Sequence, residues 1–427
     1  MLIRFALACS LVVPAIALLH AQSTASGTYI IRNVRLFDGE SVVERQTVVI
    51  SQGTIVAVGG SPVSVPAGAE EIAGEGRTLL PGLMDAHVHF PIFPVTAAAA
   101  ALQQSLAFGV TTSILMGAAP STVVARLKTL EDTDSPDMAA ILNAGIYATA
   151  PGGHPTQMGG PGGFPTLNSP GEADAFVAAR VAEGSDFIKI IYDDIERFGK
   201  KLPTLDEATI AALVTAAHAR GKIAVAHIGD ERTARGAIAA GVDGLAHLFE
   251  GPTVSPDFGQ FAAKHGVFVI PTLSVLYSSC GMPDAPGFLK DAETMKLVKP
   301  QFRSFLEMPT SPSTLRCDAA PKAIRQLAAA NVPMLAGTDA PAPGTMYGAS
   351  VHKELEHLVD AGLTPTAALV AATSAPAKAF RMTDRGRIKT GLRADLLLVD
   401  GDPSKQIRAT RNIVAVWKRG VRALRGD

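Results

Sequence analysis

Strand-like apolar runs alternate eight times with alanine-rich helical stretches, and short antiparallel-strand patterns flank that region on both sides. The pattern predicts an α/β chain: a (β/α)8 TIM-like barrel over residues 79–384, with a small composite β-sandwich formed by residues 22–78 and 385–427. A third observation agrees with it. Histidines, one lysine and one aspartate sit where strand-like runs end, the face on which a barrel of parallel strands collects its chemistry.

Taken in order, residues 1–21 read as a secretory signal peptide, with Arg4 as the positive charge, Phe5 to Leu19 as the apolar stretch and Ala21 as the small residue before Gln22-Ser23-Thr24. Pro14 interrupts the stretch, which falls short of the ~20 residues that a membrane span needs. Cleavage near Ala21 is therefore expected over an uncleaved anchor. The mature chain is expected to be exported, periplasmic or secreted, with no membrane partner. Residues 28–78 alternate apolar and polar positions around turn signals, as in Tyr29-Ile30-Ile31-Arg32-Asn33-Val34, and the same grammar returns in Ala394 to Gly401 and Ile413 to Trp417. Both chain ends are thus expected in one sandwich.

The barrel strands centre on His87, Val110 to Leu115, Ala140 to Ile146, Phe187 to Ile191, Ile223 to His227, Gly244 to His247, Val267 to Pro271 and Pro333 to Thr338. Two connections exceed simple βα loops. One is Pro151 to Pro170, rich in Gly and Pro and carrying His154; the other is Ser274 to Ala320, with Pro283, Pro286, Pro300 and Pro309. Long loops on that face usually shape a substrate pocket, the alternative being a flexible surface excursion.

At 427 residues, 47% hydrophobic and a net charge of -1, the chain can bury a large core. No basic run interleaved with aromatics offers a nucleic-acid surface, and that class of partner is excluded. Of three cysteines, Cys9 leaves with the signal; Cys280 and Cys317 are read as two free buried thiols, with a disulfide as the alternative.

His87 and His89, separated by one residue on a strand, point the same way and form a pair able to grip one metal ion. Lys189, His227, His247 and Asp339 follow in or just after short apolar runs, so residues far apart in sequence converge on one barrel face. A lone histidine is more often structural; this set points to a hydrolase with two metal ions. Lys189 lies inside Asp186-Phe187-Ile188-Lys189-Ile190-Ile191, where an unpaired ammonium is costly. Burial lowers its pKa, and a neutral amine can add carbon dioxide to become a carbamate whose two oxygens bridge two cations. The alternative is a salt bridge to Asp193 or Asp186.

These features resemble the amidohydrolase superfamily in its binuclear subtype with a bridging modified lysine. The resemblance rests on Leu80-Pro81-Gly82-Leu83-Met84-Asp85-Ala86-His87-Val88-His89, on Gly337-Thr338-Asp339 and on Gly386 to Leu396. Within it the chain is most similar to metal-dependent prolidases, Xaa-Arg carboxypeptidases and ochratoxinases, which cleave the amide before a C-terminal amino acid. Gly152-Gly153-His154, Ile188-Lys189-Ile190 and the run Glu354 to Pro365 carry that narrower likeness, with bacterial amidohydrolases that release phenylalanine from ochratoxin as its sharpest form.

The resemblance implies that His87, His89 and Asp339 hold one metal and His227 with His247 the other, bridged by N6-carboxylated Lys189 and a hydroxide that attacks the amide. Histidine and oxygen donors suit Zn2+. Asp339 is expected to shuttle the proton, and His154 to donate to the carbonyl oxygen or else to pin its glycine-rich loop. His154, Tyr347 and His352 are the candidate substrate contacts, a surface role being the alternative for the last two. Two cations against one carbamate, one hydroxide and Asp339 leave the site about one unit positive, which favours an anionic ligand such as a carboxylate-bearing amide or dipeptide. Gly229 departs from the family, which often has a polar or aromatic residue there. A homo-oligomer is expected on resemblance alone. The competing readings are a lactonase or phosphotriesterase, and a non-catalytic barrel used as a binding protein.

Overall fold

The computed structural model describes residues 27–60, 66–90, 94–117, 120–133, 137–158, 165–308 and 315–423; the signal-peptide segment lies outside them. Both chain ends enter a single eight-stranded sheet. Strand Arg77–Pro81 pairs in parallel with Tyr29–Phe37 and antiparallel with Leu396–Asp400, so it stitches early and late strands together. Alternating apolar residues give this sheet its own core around Ile31, Val48, Leu79, Leu396 and Trp417. Strands Val42–Ser51 and Thr54–Gly59 turn through Gln52 and Gly53, whose φ of 50 and 80 form the paired-positive combination that suits a two-residue hairpin.

Gly82 alone separates that sheet from the first parallel strand. The parallel strands are β1 (Leu83–Val88), β2 (Val110–Leu115), β3 (Ala140–Asn143), β4 (Ile188–Tyr192), β5 (Ala224–Ile228), β6 (Gly244–Ala246) and β7 (Phe268–Ile270). The first three form one sheet and the last four another. Parallel bridges Ala148↔Ile190, Val269↔Met334 and Val88↔Ala340 link these sheets at both ends. Nearly every strand residue is buried, as expected where helices cover a parallel sheet.

Residues 333–338 form no regular strand. Leu335 donates to Val269 O and receives company from Ala86, which donates to Ala336 O, but Thr338 N turns to the Asp85 carboxylate at 3.0 Å. That side chain takes over from the ladder.

The described residues of the stretch 274–320 are largely helical rather than a loop, with helices Leu273–Ser279, Ala285–Lys290, Ala292–Leu297 and Arg303–Glu307. Its prolines Pro286 and Pro300 stand in first turns, where the missing N–H costs nothing. Cys280 and Cys317 are joined in a disulfide, which corrects the reading of two free thiols and closes the base of this insertion. Only the fold brings the two sulfurs together across 37 residues. Replacing both cysteines with serine is expected to cost about 2–4 kcal/mol, measured by denaturant unfolding. Among the described residues, no helix is long and apolar enough to cross a membrane.

Candidate active site

The C-terminal ends of the parallel strands bring His87, His89, Lys189, His227, His247 and Asp339 together. His87 and His89 project from the end of β1 with their Nε2 atoms 3.1 Å apart. Asp339 Oδ1 lies 3.2 Å from His87 Nε2 and 3.0 Å from His89 Nε2. The donor atoms of these three residues fall within 4.8 Å of one another, a possible metal site. Ring centroids of His87 and His247 stand 4.6 Å apart, those of His227 and His247 4.5 Å, and those of His154 and His227 5.2 Å.

Neighbours tie off one nitrogen on three of the four clustered rings. His89 Nδ1 faces the Gly117 carbonyl at 3.3 Å, and His227 Nε2 faces Asp193 Oδ2 at 3.0 Å. His247 Nδ1 meets Thr272 Oγ1 at 2.7 Å. Because Thr272 Oγ1 donates its own proton to Pro271 O, it accepts from His247, which leaves His247 Nε2 as a lone pair. Outer partners of this kind fix ring orientation and tautomer at metal sites. The donor set therefore fits metal binding: Nε2 of His87, His89 and His247, and Nδ1 of His227. Thr272→Val, nearly the same shape, is expected to weaken metal binding about 10–100-fold in a chelator competition.

Lys189 is 2% exposed, and its Nζ has no hydrogen-bond partner among the described residues. Neither carboxylate offered as its salt-bridge partner takes it: Asp186 binds Lys128 at 2.8 Å, and Asp193 binds His227 and Arg197. Burial lowers the ammonium to about 7, with Asp339 acting weakly the other way. The same charge presses on His87, His227 and His247. Burial, joined by these neighbours, holds His87 down at about 3 and His247 well below the ordinary imidazole range. For Asp339, burial alone would raise the carboxyl, but His87 and His89 outweigh it and keep it ionised well below its usual range.

Backbone conformation is specialised here too. His247, Thr272 and Asp339 all have positive φ, at 75, 50 and 59, a clustering of uncommon geometry typical of sites held by their surroundings. Asp85 takes the His87 and Thr338 amides and the Thr338 hydroxyl, pinning His87 to the turn that carries Asp339. Glu354, fully buried, accepts from Leu273 N and Ser274 N at 2.9 and 2.8 Å and so anchors the turn of Thr272.

His154 reaches the cluster. Gln157 Nε2 can only donate, so His154 Nδ1 accepts at 2.8 Å and its Nε2 carries the proton; burial, reinforced by His227, lowers it to about 3 and keeps it neutral. Tyr347 and His352 are placed otherwise than the sequence suggests. Tyr347 is buried between Phe90 and Phe302 and donates to the His89 carbonyl at 2.6 Å, so it positions the His89 backbone. His352 is buried far from solvent, with Nδ1 at Thr410 Oγ1 and Nε2 at Phe108 O, cementing the helix Ala349–Asp360 to the segment around Thr410.

Sequence reasoning missed Asp193, Arg197, Glu250, Thr272 and Glu354 as parts of the site. Asp193 at the end of β4 and Thr272 beyond β7 occupy strand-end positions like the ligands, and that was the available signal. For Asp193, burial would raise the carboxyl, but His227 and Arg197 hold it low.

The profile of the Amidohydrolase family matches residues 78–423. The chain belongs to the amidohydrolase family. An uncharacterized protein of Mycobacterium bovis is 27% identical to this amidohydrolase over 354 residues, covering 81% of this chain and 85% of that protein. A crystal structure of a Xaa-Pro dipeptidase with bound methionine in the active site superposes with a TM-score of 0.74 at 25% identity, over 93% of this chain and 99% of that one. The A. niger ochratoxinase shares the fold, with a TM-score of 0.70 at 20% identity over 92% and 95% of the two chains. This amidohydrolase is a hydrolytic enzyme with a TIM-barrel type fold.

Proposed function

We propose that this amidohydrolase cleaves the amide before a C-terminal amino acid in N-acyl amino acids or dipeptides, with the phenylalanine amide of ochratoxin as the sharpest candidate. The observation that carries the reading is the buried Lys189 Nζ among four imidazoles, without a hydrogen-bond partner among the described residues. A group in that position is relieved by losing its charge, and the neutral amine adds carbon dioxide to give a carbamate with an oxygen for each of two cations.

His87, His89 and Asp339 would hold one cation, His227 and His247 the other, with carboxylated Lys189 between them. Bound divalent metal, of which Zn2+ suits these donors, lowers the pKa of water to about 7 and polarises the scissile carbonyl. Asp339 receives the proton released from water and returns it to the leaving amine. His154 Nε2–H donates to the carbonyl oxygen as charge develops there, a contribution of about 2.7–4 kcal/mol at good geometry. Tyr347 holds the His89 backbone, and Asp193 orients His227, throughout.

The three parallel bridges between the two sheets support a closed (β/α)8 barrel, and the shared core of early and late strands supports the small second unit. The Cys280–Cys317 disulfide supports an exported enzyme, and a homo-oligomer completes the reading.

The test is mass spectrometry of products from a panel of N-acyl amino acids, dipeptides, ochratoxin, lactones and phosphotriesters. Turnover of the carboxylate-bearing amides, lost on chelation and restored by zinc, is expected. Better catalytic efficiency on lactones or phosphotriesters than on every such amide would overturn the assignment.

A further inference from the structure

Beside the histidine cluster, the segments after β4 and β5 line an open cleft of about 640 Å³ bordered by Asp194, Arg197, Lys201, Asp230 and Arg232, among others. Arg197 belongs to both places. Its Nη1 donates to Asp193, at 2.7 and 2.9 Å, and Asp193 in turn holds His227. Its Nε donates to Glu250 at 2.7 Å. The guanidinium is thus clamped on two sides in one orientation, a short step from a metal-ligand histidine.

Gly229 makes that position possible. A Cβ built on Gly229 would fall on Arg197 Nη1 and Asp193 Oδ1, so any side chain there would evict the guanidinium. The φ of Gly229 is not positive, so no turn requires glycine; the close approach of Arg197 does. The space that a side chain would occupy two residues after His227 is filled by a cation from the neighbouring strand end.

Each carboxylate lining the cleft is already engaged by a neighbour. Asp230 is spent capping the helix Glu231–Ala239 through Thr233, and Asp194 is engaged by Arg232 at 3.1 Å. Glu196, which also lines the cleft, is paired with Lys201 at 2.9 Å. Among the described residues, Arg197 bonds through Nε and Nη1 and leaves Nη2 without a hydrogen bond, and Lys201 and Arg232 each keep more than half of their side chains exposed. The two N–H groups of Arg197 Nη2 suit a carboxylate oxygen, as a charge-assisted donor does.

We propose that this cleft is the subsite for the substrate's carboxylate and that Arg197 is the residue that reads it, with Gly229 required to admit the guanidinium. The proposal rests on the amide-hydrolase reading above and adds the group that recognises the leaving amino acid. Asp193 and Glu250 act as positioning residues that hold the guanidinium toward the cleft.

The test is calorimetric binding of L-phenylalanine and of L-phenylalaninamide to the zinc-loaded full chain, since neither probe is an N-acyl amide that the proposed reaction consumes at its amino end. The free acid is expected to bind about 10-fold more tightly or better, as a charged hydrogen bond provides. Arg197→Met should reduce that advantage to less than about 2-fold, Arg197→Lys should keep part of it, and Gly229→Ala should weaken the acid while leaving the carboxamide as it was. An Arg197 that served only to brace Asp193 would move both probes equally. Loss of both probes together, an acid advantage that survives in Arg197→Met and Gly229→Ala, or no advantage in the wild type overturns the proposal. If Arg197→Met fails to fold, the other two variants decide. A wild type that shows the Arg197-dependent preference yet hydrolyses no amide in the panel would remove the proposed function and leave this subsite standing.

Discussion

Lys189→Ala is expected to bind fewer than two metal ions per chain and to lose about 10³-fold or more in kcat/KM, as several kcal/mol of metal-dependent stabilisation disappear. The argument rests on burial. An ammonium with no partner in this interior is held down to about 7, so at neutral pH a substantial share of Lys189 is the neutral amine that carbon dioxide requires. The direction of pH dependence follows. In the metal-free chain the folded state binds fewer protons than the unfolded state between about 7 and 10.5, so stability attributable to this group rises with pH across that window. Lys189→Met, apolar and of similar length, is expected to flatten that rise. Metal loading through the carbamate weakens as pH falls below about 7. Metal analysis with kinetics, and a carbon-13 carbamate resonance from labelled bicarbonate, read the two effects; unchanged occupancy and rate in the alanine variant would sink the carbamate.

Asp339→Asn is the second large effect, with kcat expected to fall by about 10²–10⁴. Asparagine keeps the shape and an oxygen near His87 and His89, so it isolates the proton-accepting role from the steric one. His87 and His89 hold the Asp339 carboxyl ionised well below its usual range against the opposing pull of burial. The wild-type group is therefore ionised and ready to take a proton at neutral pH, whereas the amide cannot take one. The acidic limb of the kcat profile should be lost with the rate. A variant within tenfold of wild type across that profile would show that Asp339 is a ligand alone.

The strand-end residues were legible because their signal is local: an apolar run, then one histidine, lysine or aspartate where the run stops. Lys189 is the clearest case, since its flanking isoleucines already declare a buried strand. Partners supplied through space were not legible. Asp193 reads as a possible mate for Lys189 but turns to His227 and Arg197, a choice made by the relative placement of β4 and β5. Tyr347 and His352 share their residue types with genuine pocket contacts, and only the packing of Phe302 and Thr410 shows that both are committed elsewhere. The insertion after β7 misleads for a chemical reason. Proline marks both loops and first helical turns, and Pro286 and Pro300 are in first turns. At the chain ends, strand Arg77–Pro81 joins both sets of strands edge to edge in one sheet, a pairing between distant segments that local alternation does not carry.

That joining strand sets an order of events during synthesis. Arg77 and Asp400, paired at 3.0 Å across it, are 323 residues apart in the chain. The strand also leads through Gly82 into β1, which carries His87. Until the segment around Leu396–Asp400 emerges, one edge of the strand leading to His87 stays open, and closing so long a loop carries an entropic cost that short-range contacts do not offset. Residues far from the histidine cluster thus decide when His87 is set: a chain released before its final strands would carry His87 on a strand whose lead-in has one edge unpaired.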